Sequence, residues 1–64
     1  EINFNGLDSN QIEIMRYLME KKEDALENIS TNLGIKISQI FALIIQLEIL
    51  GYIKLLPGNK CRLI

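Results

Sequence analysis

Histidine and tryptophan are missing from this 64-residue chain, and cysteine and proline occur once each. Without histidine, and with Cys61 as the only thiol, the usual nitrogen and sulfur ligands of a metal site cannot be assembled. Neither a metal nor another cofactor is expected. One cysteine also forbids an intrachain disulfide, which removes the stapled secreted scaffolds and favours a reducing, cytoplasmic setting. No basic-then-apolar leader is visible, which agrees with that compartment. An excess of positive charge is absent too. Seven Lys and Arg against eight Asp and Glu give a net charge of −1, so no overall basic character announces nucleic acid. No nucleophile stands at usable spacing from a base, and no glycine loop could cradle a phosphate, so an enzyme is not expected. Asp8 and Glu27 read as helix starts rather than a catalytic carboxylate pair. Cys61, between polar and apolar strand residues, reads as a small buried hydrophobe.

What the chain does have is apolar content, 48% of residues, enough for a single packed core. The longest apolar stretch, Ile37 to Gly51, starts after a Gly-containing turn and stops at a glycine. Ser38 suits the N-cap of a helix here, and Gly51 suits the left-handed position beyond its end. Ile40, Leu43, Ile44, Leu47 and Leu50 then fall on one face at core spacing. Phe41, Ile45 and Ile49 make a second apolar row at i, i+4 and i+8. A bilayer span takes about 20 apolar residues, so a buried helix is expected instead, with no membrane partner.

Elsewhere the pattern is punctuated clearly. A first residue of Glu1 rather than methionine suggests a domain of a longer protein, with residues 1–6 as a tail or linker and residues 7–64 as the domain. Ile2 and Phe4 could pack on that domain or belong to a neighbour. Asp8 and Gln11 have capping-box spacing, and Leu7 is placed for a hydrophobic staple. Ile12, Met15 and Met19, joined by Leu18, are expected to face inward, with Gln11, Glu13, Arg16 and Glu20 outward. This helix should fade in the mixed-sign run Glu20–Asp24. Ala25 and Leu26 are expected in a very short strand. Glu27 or Asn28 should open a second helix that buries Ile29 and Leu33 and stops at Gly34. Tyr52–Leu56 and Lys60–Ile64, around Pro57-Gly58-Asn59, predict a β-hairpin with Ile53 and Leu55 on one face.

Helix, short strand, helix, tight turn, helix and hairpin together predict an α+β, mainly helical fold. Its architecture is a winged helix, a three-helix helix-turn-helix core with a C-terminal hairpin wing. The stretch from Ile35 to Arg62, with Leu47-Glu48-Ile49, Gly51, Ile53, Lys54 and Leu56-Pro57-Gly58-Asn59, resembles the C-terminal winged-helix domain of DprA. This family, also called Smf, comprises DNA-processing proteins of natural transformation. Asn59 departs from the second turn glycine of that pattern, and Cys61 from an aromatic residue. The resemblance implies a cytoplasmic protein that binds single-stranded DNA and loads RecA. It also implies a Rossmann-like domain in the same chain that does most of the DNA binding, with the winged helix as an accessory.

Two roles for the domain stay open. In the first, it contacts DNA weakly. Lys36, Ser38 and Gln39 at the start of the third helix would meet phosphate, Gln39 and Gln46 would meet base edges, and Lys54, Lys60 and Arg62 would act from the wing. Against it stand the acidic balance and the lack of any Lys or Arg between Lys36 and Gly51. In the second, Phe41, Ile45 and Ile49 form a protein interface, with a second copy, the Rossmann-like domain or another protein. That row is otherwise simply buried against the first helix and the N-terminal residues.

Overall fold

A computed structural model of the chain describes residues 6–64. Six elements follow in order: α1 (Ser9–Lys21), β1 (Glu23–Ala25), α2 (Leu26–Leu33), α3 (Ile37–Ile49), β2 (Ile53–Leu56) and β3 (Lys60–Leu63). The tail at Ile2 and Phe4 lies outside the described residues.

Local chemistry explains most of the boundaries. At the start of α1 the Asp8 carboxylate accepts from the Gln11 backbone N–H at 2.8 Å, and the Gln11 amide oxygen accepts from the Asp8 N–H at 3.1 Å. Two orphan donors are thereby satisfied by one expected capping box. The helix stops at Lys22, which takes a φ of 75° and donates its N–H to the Leu18 carbonyl. Gly34 and Gly51 each hold a left-handed φ, 69° and 89°. Beyond α3, the Gly51 N–H donates to Glu48 and the Tyr52 N–H to Leu47, both at 3.0 Å. This paired Schellman closure needs a residue free to take positive φ.

Some expected boundaries shift. The strand β1 begins at Glu23 and α2 already at Leu26, because Glu23–Ala25 pairs antiparallel with β3 and the Leu26 N–H donates to the Asn59 carbonyl at 2.8 Å. Lys36, not Ser38, is the N-cap residue of α3, with extended backbone and no side-chain cap bond. Ser38 is already helical because the Ile40 N–H donates to the Lys36 carbonyl at 2.9 Å.

The inward face of α1 is also rotated from the expectation. Gln11, Ile14, Met15 and Leu18 are buried, Ile12 is half-buried, and Met19 is 47% exposed. Gln11 can turn inward because both its amide oxygen and its amide nitrogen find partners. The oxygen closes the capping box, and the Nε2 donates to the Gln46 Oε1 of α3 at 2.9 Å. A buried polar group with its bonds made costs little, so the row at i, i+3, i+4 and i+7 wins over the all-apolar row.

The three strands form one antiparallel sheet in the order β1-β3-β2. Register pairs Ile53 with Leu63, Lys54 with Arg62, Leu55 with Cys61 and Leu56 with Lys60. Strand alternation turns Ile53 and Cys61 into the core and leaves Lys54, Lys60 and Arg62 outside, as expected. Helices α2 and α3 change direction by 115° across their short turn, the geometry of a helix-turn-helix. With the three-stranded sheet behind it, the fold is α+β, mainly helical, with a winged-helix layout. Its core gathers Ile14, Met15 and Leu18 from α1, Leu26 and Ile29 from α2, Ile40, Ile44 and Leu47 from α3, and Ile53 and Cys61 from the hairpin. Among the described residues no single helix is long and apolar enough to cross a membrane.

Candidate functional site

Helix α3 carries two apolar faces, and the core takes one of them. Ile40, Ile44 and Leu47 are fully buried and Leu43 nearly so. Leu50, expected to continue that stripe, is 57% exposed at the C-cap position, beyond the last turn of α3. The second row is not covered by α1. Phe41 is 39% exposed, Ile45 46% and Ile49 79%. Burial of this row, the alternative left open by the sequence, is therefore excluded for α1. Ile37, four residues before Phe41 and 39% exposed, extends the row by one turn. The same i, i+4 spacing that linked Phe41 to Ile45 was the signal for it.

Small or uncharged side chains fill the rest of the outward face. Ser38, Gln39 and Ala42 are exposed, and Glu48 is the only charge between Lys36 and Gly51. The first turn of α3 has no acidic residue and the last turn no basic one, so neither end of the helix dipole is offset by its own side chains. Lys36 and Glu48 stand near the ends that repel them. Chemically this face offers dispersion and hydrophobic contact, with very little to hold a phosphate.

The residues predicted to contact DNA divide into two groups. Lys36, Ser38 and Gln39 lie together and exposed at the start of α3. Gln46, exposed on α3, accepts from the Gln11 Nε2 through its amide oxygen. On the sheet, Lys54 and Arg62 are direct cross-strand partners, and Arg62 is flanked on its other side by Glu23 of β1. Lys60 faces out at the hairpin end of the same strand. The wing itself is short. Its turn holds Gly58 at φ 82° and Asn59 at φ 56°, and the Asn59 carbonyl is tied to α2 through Leu26. A hairpin anchored at its tip does not project beyond the body as a long wing would.

A polar network, not visible in the sequence pattern, joins α1, β1 and α2. The Tyr17 hydroxyl donates to the Asp24 carboxylate at 2.5 Å and accepts from the Asn32 side chain at 2.7 Å. Asn28 and the Ala25 N–H also donate to Asp24, at 3.0 and 2.8 Å. The Tyr17 bond, followed by that from Asn28, holds the Asp24 carboxyl below its ordinary range, and the same bond pushes the Tyr17 hydroxyl up. Asp24, Asn28 and Asn32 do stand four residues apart, but Tyr17, which links them, comes from α1, and that contact is not visible in the local pattern.

Burial, and secondarily the nearby Asp24 carboxylate, push the Cys61 thiol up to about 11, so it is protonated and inert at neutral pH. Open depressions lie among the described residues. One, of about 320 Å³, is lined by Gly6, Gln11, Gln46, Ile49 and Leu50, and so continues the apolar end of α3. Another, of about 270 Å³, lies among Glu13, Arg16, Tyr17, Glu20 and Leu33.

The fold and the exposed faces define the class as a small winged helix with an apolar third helix. No family model matches the chain, and no solved structure matches it. A stretch of 49 residues, 77% of the chain, is 45% identical to part of the phenylalanine–tRNA ligase alpha subunit of Sulfolobus acidocaldarius. The chain spans about 10% of the length of that relative.

Proposed function

We propose that this chain is a non-catalytic winged-helix module that docks on protein through the outer face of α3, within a larger cytoplasmic protein that handles nucleic acid. One observation carries the reading. Phe41, Ile45 and Ile49 stay exposed on the helix face that a DNA reader would fill with cations and amides. Two resemblances support the setting. The motif likeness to DprA suggests an accessory of a protein that binds single-stranded DNA and loads RecA. The relative is by name a ligase acting on tRNA, and the matched stretch occupying 10% of it suits an appended module.

A second reading, weak contact with nucleic acid, is favoured by one feature. Lys54 and Arg62 face each other across the ladder, with Lys60 nearby, so three cations share the outer sheet face with one acidic neighbour, Glu23. About four phosphate contacts, counting Lys36, would give affinity lost quickly with salt.

The two readings separate in one set of measurements. Photoactivated carbene labelling at about 1 µM should modify Phe41, Ile45 and Ile49. Titration of labelled single-stranded DNA, duplex DNA and tRNA at low salt should show only weak binding. Protected α3 side chains at that dilution, with binding that disappears when Lys54, Lys60 and Arg62 are changed to Ala, would overturn the docking reading in favour of the wing.

A further inference from the structure

The α3 face has a property that a general sticky patch lacks, because it is complementary to itself when reversed. Ile37, Phe41, Ile45 and Ile49 are evenly spaced, so the row is symmetric about its midpoint. Laid antiparallel on a copy of itself, it sets Ile37 over Ile49 and Phe41 over Ile45. Exposed Ser38 and Ala42 lie on the adjoining row of the helix and are small enough to let two helices approach closely. The charges agree with this orientation. Within one copy, Lys36 stands at the positive end of the α3 dipole and Glu48 at the negative end, with no opposite charge in either terminal turn. An antiparallel partner brings its Glu48 to the N-terminal end and its Lys36 to the C-terminal end. A parallel partner would set like charges together.

We propose that the outer face of α3 binds a second copy of this chain, antiparallel across a two-fold axis near residue 43. The proposal rests on the docking reading above and names its occupant. Such an isologous contact uses the same patch twice, the commonest symmetry among soluble oligomers. A row about 18 Å long on one helix is a small interface, below about 1,200 Å² in total, so the dimer is weak. Half-association is expected on the order of 10–100 µM.

Sedimentation of the whole chain from about 5 µM to about 1 mM tests it. The native chain should pass from monomer to dimer. Ile45→Ser should weaken association at least tenfold while the helical circular dichroism spectrum and melting curve persist. Lys36→Glu and Glu48→Lys should each weaken the dimer several-fold, and the two together should restore it. A chain that is monomeric at about 1 mM, or a dimer indifferent to Ile45→Ser, overturns the proposal. Single reversals without rescue by the double overturn the antiparallel orientation. A monomer whose Phe41, Ile45 and Ile49 still take carbene label removes the second copy yet leaves the docking reading intact. A monomer with those residues protected removes both.

Discussion

The two faces of α3 have almost the same composition and opposite fates. Ile40, Leu43, Ile44 and Leu47 on one side are buried, while Ile37, Phe41, Ile45 and Ile49 on the other are substantially exposed. Residue type therefore says little about which apolar row builds the core. The contrast teaches where stability and interaction separate. The inner row is packed by α1, α2 and the hairpin and should carry the folding energy. The outer row is only partly covered by the described residues and leaves apolar surface open to binding.

The sharpest way to break that comparison is to truncate one residue from each side. Ile44→Ala empties a fully buried site and should cost about 2–5 kcal/mol, read from urea unfolding followed by circular dichroism. In a domain of this size that is a large part of the total stability. If Ile45→Ala cost as much, the outer row would be structural and the division between faces would be wrong.

The end of α3 tests whether both faces depend on one stop. Gly51 holds a φ of 89°, and a Cβ there would meet nothing within 4 Å. Gly51→Ala should thus cost only the backbone penalty of a left-handed residue, about 1–2 kcal/mol. A smaller cost, with α3 running on beyond Leu50, would mean that the Schellman closure does not fix the entry into β2.

The polar network sharpens the comparison from outside the helix. Tyr17→Phe removes the hydroxyl that donates to Asp24 and should cost about 1 kcal/mol, discounted for its partial exposure. Its pH signature has two sides. The folded-state pKa of Asp24 is depressed, so its stabilisation is present above the unfolded carboxylate range and is lost as pH falls through the folded value. The folded-state pKa of Tyr17 is raised, so its share is present below the unfolded tyrosine value and is lost as pH rises through the folded one. Unfolding curves of Tyr17→Phe should flatten in both windows. Unchanged acid and alkaline slopes would remove the network from the stability account.

The smallest expected effect is Ile45→Ser. It should move monomer stability by less than about 0.5 kcal/mol, measured at low micromolar concentration where association is negligible. Its consequence belongs to the concentration dependence of the melt, which the native chain should show and the variant should lose.

Much of the scaffold was legible because its signals are local. Asp8 and Gln11 declare a capping box by spacing alone, and Gly34 and Gly51 declare helix stops by tolerating positive φ. Pro57-Gly58-Asn59 declares a turn whose register then fixes Ile53 and Cys61 inward. The inward face of α1 was not legible. Gln11 reads as a surface residue until Gln46, 35 positions away, supplies its partner. Met19 reads as core until Ile14 is found in its place. The N-cap of α3 was not legible either. Ser38 has the better capping side chain, yet the chain enters the helix two residues earlier.

Periods, caps and turns, which depend on residues within a few positions of one another, were settled by the amino-acid sequence by itself. It thus determined three helices, a hairpin and the bounds of α3 to within a residue or two. It also determined that this helix would be apolar on two sides. Which side would be buried was decided only by the tertiary structure. Burial depends on the partner surfaces that the other elements bring to the helix. Three neighbours cover Ile40, Ile44 and Leu47, and the row from Ile37 to Ile49 is left facing outward.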